Sequence, residues 1–518
     1  MSCDGKQPSC TQCSFRGLTC PGYTPPWTFV SQDPRTGRTA RDKPLEPTSQ
    51  PQRAEGLMLL RFPSRPQQLA LGDAAQATAV YQTLTPPLDD LIRFIVRSYV
   101  PETNHRRISL PQEVEPRVCG AWVEVLPELS ATGRNVALSS AIKAFAGTLM
   151  SGVLNKHMTM EDARQNYTHA LRCLRDELRV ASPSSSLASE TAAAIMCLLL
   201  AELFMPTTLE SWTAHLAGFA QSMRTAGPAF YRCGTPHRLF VGARPILTVL
   251  GFIVRKASFL EAAEWKHIPF SMTPPSPLQE LMGEAITIPR LLENLDKAAG
   301  SPREVAVLVA TDTLREIIAV FDSLDRWQQT FHSRWLKAPL FGSITLSEEV
   351  AGRDWPNFWF PGITDANVAT HYWAFRVVCL ATVRQISILH PEIPFDHEDL
   401  AWRLPEGNSF LEMKQLSTWI VQSMDYLMQE EMKLFGPSSV LLPLRVAYDV
   451  FLAGGFHTEK ELGWCREFLT GTIASGYRFV PLFFDPWQQE LETCINPTTI
   501  NIAARDPYHE HEPVLRIE

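Results

Sequence analysis

The sequence predicts an all-α fold, and three observations carry that expectation. Apolar residues recur at intervals of three and four in one segment after another, as on one face of a helix. Proline and glycine stand at the segment ends, as at Pro101, Gly227-Pro228, Pro391 and Gly436-Pro437. No convincing run alternates apolar with polar residues at period two, and nothing repeats at a fixed longer period. With 45% hydrophobic and 10% aromatic residues among 518, the chain has the apolar surface for a substantial buried core.

The first helix is expected from Thr85 as N-cap with Pro86 at its first position, where a missing N–H costs nothing. Leu88, Leu91, Ile92, Ile95, Val96 and Tyr99 form its apolar stripe, and Pro101 ends it. A helix over Ser139–Leu154 follows. Thr159-Met160-Glu161-Asp162 reads as a capping box opening the next, with Tyr167, Leu171, Leu174 and Leu178 on one face. Pro183-Ser184-Ser185-Ser186 breaks the chain before a buried helix over Ser189–Met205, which carries Glu202 in its apolar run. Leu209–Thr225, closed by Gly227-Pro228, and Leu239–Leu260 continue the pattern. Further on, Thr364 is placed to cap a long helix with Val368, Tyr372, Phe375, Cys379 and Ile386 at core spacing. Leu411–Leu434 is expected to end at Gly436-Pro437, and Leu441–Leu452 and Glu459–Thr472 complete the set. Short Pro-Gly and Gly-Pro connections imply antiparallel neighbours.

Ahead of this body, residues 24–84 are rich in Pro, Arg, Gln, Ser and Thr and are expected to form a largely disordered linker. The formal net charge of -8 excludes a chain that coats nucleic acid along its whole surface, so any DNA contact is local. No apolar run follows Met1, so no secretory signal is expected, and no run reaches the ~18 apolar residues of a membrane span. Ala192–Met205 comes closest. Cys119, Cys173, Cys197, Cys233, Cys379, Cys465 and Cys494 are then free thiols of a reducing compartment.

Four of the eleven cysteines fall in the first twenty residues, Cys3, Cys10, Cys13 and Cys20, spaced C-x6-C-x2-C-x6-C. Short loops between thiolates are what zinc needs, since four sulfurs then close a tetrahedron at about 2.3 Å from the metal. With Pro8 before Cys10 and Pro21-Gly22-Tyr23 after Cys20, the pattern resembles the second half of the fungal binuclear zinc cluster, written C-x2-C-x6-C-x5–12-C-x2-C-x6–9-C. In that resemblance Cys3 is the third cysteine, Cys10 the fourth, Cys13 the fifth and Cys20 the sixth. The family's first C-x2-C and the Arg/Lys-rich helix that reads bases would lie upstream of Met1. Residues 1–23 are therefore expected to be a partial module, holding one zinc because only one bridging thiolate, Cys10, is present, or else to be an unmetallated, flexible segment. Either the start lies too late and the lost residues complete the module, or the chain acts through its helical domain as partner or competitor of full-length relatives. Lys6 and Arg16 are the cations beside the cysteines and are the expected phosphate contacts.

Trp27-Thr28-Phe29-Val30 resembles the segment just after such a cluster, and Ser211-Trp212-Thr213-Ala214-His215-Leu216-Ala217-Gly218 and the block from Gly436 to Tyr448 are similar to segments of the helical fungal-specific transcription factor domain. The resemblance implies a regulatory domain over 85–505, a nuclear location, and control of a metabolic gene set, in some relatives a secondary-metabolite cluster. It implies DNA, a homodimer or a heterodimer with related regulators, and a small-molecule effector as partners, with no membrane and no catalysis. The competing expectation is a helical interaction protein that does not bind DNA.

No Walker loop, dinucleotide-binding G-x-G-x-x-G, G-x-S-x-G elbow or H-E-x-x-H occurs. His509-Glu510-His511-Glu512 reads as a solvated tail in preference to a metal site. Trp212 and His215 share a helix face; a packing aromatic beside a satisfied histidine is the first reading and a pocket the second. Met424, Tyr426, Met428 and Met432 are core or surface by default and an effector cavity by alternative.

Overall fold

The computed structural model describes residues 86–101, 119–131, 134–152, 158–180, 185–207, 209–335, 345–347, 357–393, 409–474 and 476–480. Helix makes up 83% of what is described, so the fold is all-α. Contacts divide the chain between Thr85 and Pro86, and every described residue belongs to the second unit. The linker 24–84 lies outside the described residues.

The first helix, α1 (Leu88–Tyr99), begins at Leu88 with Pro87 as N-cap, later than the sequence suggests. The ring of Pro87 disfavours helical geometry at Pro86, so the helix cannot open there. Leu91, Ile92, Ile95 and Tyr99 are buried as expected. A tight 3-10 turn, Cys119–Val125, leads into α2 (Leu126–Ser130) and α3 (Val136–Gly152). Asn135 caps α3, accepting from Leu138 N at 2.7 Å.

The expected capping box opens α4 (Met160–Val180): Asp162 N donates to Thr159 Oγ1 at 3.1 Å, and Thr159 N donates to Asp162 Oδ2 at 3.3 Å. Its buried face is Ala163, Tyr167, Ala170 and Leu174, whereas Leu178 is 55% exposed. A 3.6-residue period carries that face onto Glu177, which accepts from Asn135 Nδ2 at 3.0 Å and Thr191 Oγ1 at 2.7 Å. Next come α5 (Ser185–Phe204) and α6 (Leu209–Ala226). Residues 192–205 are all buried, as a helix apolar on every side must be. α5 packs on α3 and α6.

α7 (Gly234–Val254) starts earlier and stops earlier than expected. Arg255, in the left-handed region at φ 49°, caps it, and Lys256 N bonds Gly251 O at 3.1 Å. At Gly242 a Cβ would lie 2.6 Å from the Trp122 ring, so the glycine lets α7 press against the 3-10 turn. α8 (Ala263–His267), α9 (Pro277–Ala285), α10 (Ile288–Ala298) and α11 (Arg303–Trp335) follow, none of them anticipated.

Two short strands, β1 (Thr345–Ser347) and β2 (Asn357–Trp359), pair antiparallel with Thr345 opposite Trp359; the sequence expectation contained no strand. α12 (Ile363–Leu389) is capped by Gly362, not Thr364. α13 (Ser409–Gln422), α14 (Met424–Leu427), α15 (Phe435–Ser439), α16 (Leu441–Ala453) and α17 (Glu459–Ala474) complete the described part. Gly436 and Pro437 therefore lie inside α15 instead of stopping a long helix. Proline is tolerated in a first turn, and a Cβ on Gly436 would lie 2.2 Å from Leu427 O. One contiguous apolar core joins Leu91 to Val480, and Phe252 stacked on Phe375 at 5.1 Å links α7 to α12.

Two helices, α7 and α12, are long and apolar enough by length and composition to cross a bilayer, with mean hydropathies of 1.4 and 1.2. Neither holds an unbroken apolar run of that length, since both carry interspersed polar residues. Their apolar windows are 56% and 61% buried within the body, as core helices are.

Candidate functional site

The expected zinc ligands Cys3, Cys10, Cys13 and Cys20, the expected DNA contacts Lys6 and Arg16, and the run His509–Glu512 lie outside the described residues. Among the described residues no group of three or more His, Cys, Asp or Glu is placed to hold a metal. Cys173, Cys197, Cys233, Cys379 and Cys465 are free thiols. Burial pushes the thiols of Cys197, Cys379 and Cys465 up, Cys379 to about 12, so these three are not ready thiolates.

One buried polar cluster is built on Glu202. A carboxylate on a helix buried all round must be hydrogen-bonded, and this one has three donors. Tyr167 Oη on α4 donates to Glu202 Oε1. Thr207, in the turn after α5, donates its N–H to Oε2 at 2.7 Å and its hydroxyl to Oε1 at 2.8 Å. His215 Nε2 on α6 lies 2.7 Å from the Tyr167 oxygen. The single phenolic proton goes to the carboxylate, so the tyrosine oxygen accepts from an Nε2–H tautomer of His215. Burial, then the bond to Glu202, raises the Tyr167 phenol well above its ordinary value; burial lowers His215, partly offset by the charge of Glu202. The phenol therefore keeps its proton and the imidazole stays neutral. With three donors on the carboxylate, the cluster ties α4, α5 and α6 together and has no activated nucleophile. His215 thus has the local partner expected of it, and Trp212 on the same helix face is buried against Phe479, ring centres 5.1 Å apart.

Charged groups elsewhere are also engaged. Arg376 on α12 binds Asp325 on α11 and Glu412 on α13, the latter at 2.9 Å, which fastens three helices at one point. A cleft of about 440 Å³ between α10 and α11 is lined by Asn294, Lys297, Ser301, Asp312, Thr313 and Glu316. Lys297 pairs with Glu293, Asp312 with Arg315, and Glu316 with Arg290.

A different arrangement surrounds β2. Met424, Tyr426 and Met432 are buried and Met428 half-buried, so the sequence-named Met and aromatic residues enter the core. Tyr426 meets the ring of Trp359 at 5.7 Å and that of Phe360 at 5.4 Å, while Asn357 Nδ2 donates to Asp425 Oδ2 at 2.5 Å. Tyr426 Oη, Trp359 Nε1 and Asn357 Oδ1 are buried without a hydrogen-bond partner among the described residues. The sequence singled out Tyr426 but neither Asn357 nor Trp359, because β2 itself was not foreseen.

Nearby, two groups on α12 give opposite pH responses. Burial pushes His371 down to about 4, against the pull of its bond to the Asn367 carbonyl. Burial pushes Asp365 up to about 6. A lowered histidine contributes stability fully present above its unfolded value near 6.5 and lost as pH falls toward 4. A raised carboxyl contributes stability present below its unfolded value near 3.8 and lost as pH rises through 6. Each amounts to about 3 kcal/mol, at roughly 1.4 kcal/mol per pH unit, so they nearly cancel between pH 4 and 6. Relative to the parent chain, Asp365→Asn is expected to lose stability more steeply as pH falls from 6.5 to 4, and His371→Gln to shift the other way, toward a gain on acidification, as read by urea titrations at each pH. Parallel pH profiles for all three chains would refute both assignments.

Compared with known proteins, the chain matches no protein-family model, and no curated protein and no solved structure matches it significantly.

Proposed function

We propose that the chain is a transcription regulator of the fungal zinc-cluster class, acting in the nucleus. Cys3, Cys10, Cys13 and Cys20 hold zinc, Lys6 and Arg16 touch phosphates, and the helical body governs association and effector response. The observation that carries this reading is the cysteine spacing with Pro21-Gly22-Tyr23. An all-α body suits it, and the segments resembling the family's regulatory domain lie on helices α6, α15 and α16. In this reading the chain catalyses no reaction, and its partners are DNA, a second regulator chain and a small molecule.

A second reading needs only the helical body. In that reading the helical body is an interaction protein that partners or competes with full-length regulators without touching DNA. Salt titration of binding to mixed-sequence duplex DNA separates the two. One or two phosphate contacts give a slope of log K against log salt of about -1 to -2. That shallow slope is the expected result; no binding at the lowest salt would leave only the interaction protein.

A further inference from the structure

We propose that the face where β2 meets α14 binds a small uncharged carboxamide, its carbonyl oxygen held by Tyr426 Oη and Trp359 Nε1 and its N–H by Asn357 Oδ1. As an effector site it rests on the regulator reading; as a binding site it does not.

Side chains alternate along a strand, so Asn357 and Trp359 share one face and Phe358 points the other way, toward Trp373 at 6.0 Å between ring centres. The shared face lies against α14, which sets Asp425 opposite Asn357 and Tyr426 opposite Trp359. Asn357 and Tyr426 are each only 2% exposed. The Asp425 carboxylate accepts hydrogen bonds, so the amide nitrogen of Asn357 faces it and the amide oxygen is the atom left over. A hydroxyl, an indole N–H and an amide oxygen are thus buried on one contact surface, each lacking a partner among the described residues. Buried polar groups are seldom left so, because each then bears its full desolvation cost.

The chemistry of these atoms selects the ligand. Two donors suit the two lone pairs of a carbonyl oxygen, and one acceptor beside them suits an adjoining N–H. The rings of Trp359 and Phe360 meet that of Tyr426 edge-on, so these polar atoms are set in an apolar, aromatic surround. Asp425 on the same face and Asp365, whose charge reaches the Tyr426 hydroxyl, disfavour an anion.

Benzamide is a suitable probe, with benzoate as its charged counterpart, in saturation-transfer NMR and calorimetric titrations of the full chain. Benzamide is expected to bind at least fivefold more tightly than benzoate. Tyr426→Phe and Trp359→Phe, which remove a hydroxyl and an indole N–H donor from that aromatic surround, are each expected to weaken benzamide at least fivefold. Without the probe, Tyr426→Phe is expected to leave the urea midpoint unchanged or raise it, because the hydroxyl has no internal partner to lose. Absence of benzamide binding, equal binding of benzoate, undiminished binding to Tyr426→Phe, or a lowered midpoint for that variant would overturn the proposal. None of these readouts involves zinc or DNA, so the regulator reading stands or falls separately.

Discussion

Replacing Glu202 with alanine is expected to destabilise the chain by about 2–4 kcal/mol, measured as the shift in urea unfolding followed by circular dichroism. Glu202 is 0% exposed and accepts from Tyr167 Oη, Thr207 Oγ1 and Thr207 N. Alanine takes the acceptor from the buried Tyr167 hydroxyl and opens a cavity between α4 and α5, while the two donors of Thr207, an exposed residue, can turn to water. Glu202→Gln keeps one amide oxygen in place and is expected to cost clearly less. His215 provides an internal check: with the carboxylate gone, nothing opposes the burial that lowers it, so its titration should move further down. A loss below 1 kcal/mol for Glu202→Ala would show that the cluster does not hold the three helices together.

The Arg255–Asp296 pair is the second place where a single change should be costly. Arg255 sits in the left-handed region at φ 49° with 5% of its side chain exposed, and its guanidinium meets both oxygens of Asp296, at 2.7 and 2.8 Å. Asp296→Ala strands a buried cation and is expected to cost about 3–5 kcal/mol. Arg255→Gly is expected to cost less, for two reasons. Glycine accepts the left-handed geometry without strain, and the Asp296 carboxylate left behind is already 18% exposed to water. If the order of the two variants is reversed in urea titrations, packing of the buried arginine stem and not the stranded charge controls the end of α7.

Local rules made much of the helical body legible. The Thr159–Asp162 box and the stripe of α1 needed only residues close in sequence, and both are found. Elements that depended on distant partners were not readable in the same way. Periodicity placed Leu178 and Glu177 on neighbouring faces of α4, but only Asn135 and Thr191 across the interface decide that the glutamate faces inward. Gly436-Pro437 looked like a helix stop because the carbonyl of Leu427, which requires the glycine, is invisible locally. α11 is a different kind of miss. Ala310, Leu314, Ile317, Phe321, Leu324 and Trp327 are buried at ordinary helical spacing, and the signal was there to be read. For the polar cluster, Glu202 in an apolar run was a fair warning that donors must exist, yet Tyr167, Thr207 and His215 could be named only from the packing.

The central claim, that the amino-terminal cysteines form a zinc site, is tested most directly by metal analysis of the intact chain purified without chelator, beside a Cys13→Ser/Cys20→Ser double variant. The account predicts one zinc per chain, lost in the double variant. No zinc, or one zinc that survives both substitutions, would contradict the site, and two zinc ions would contradict the ligand count on which it is built.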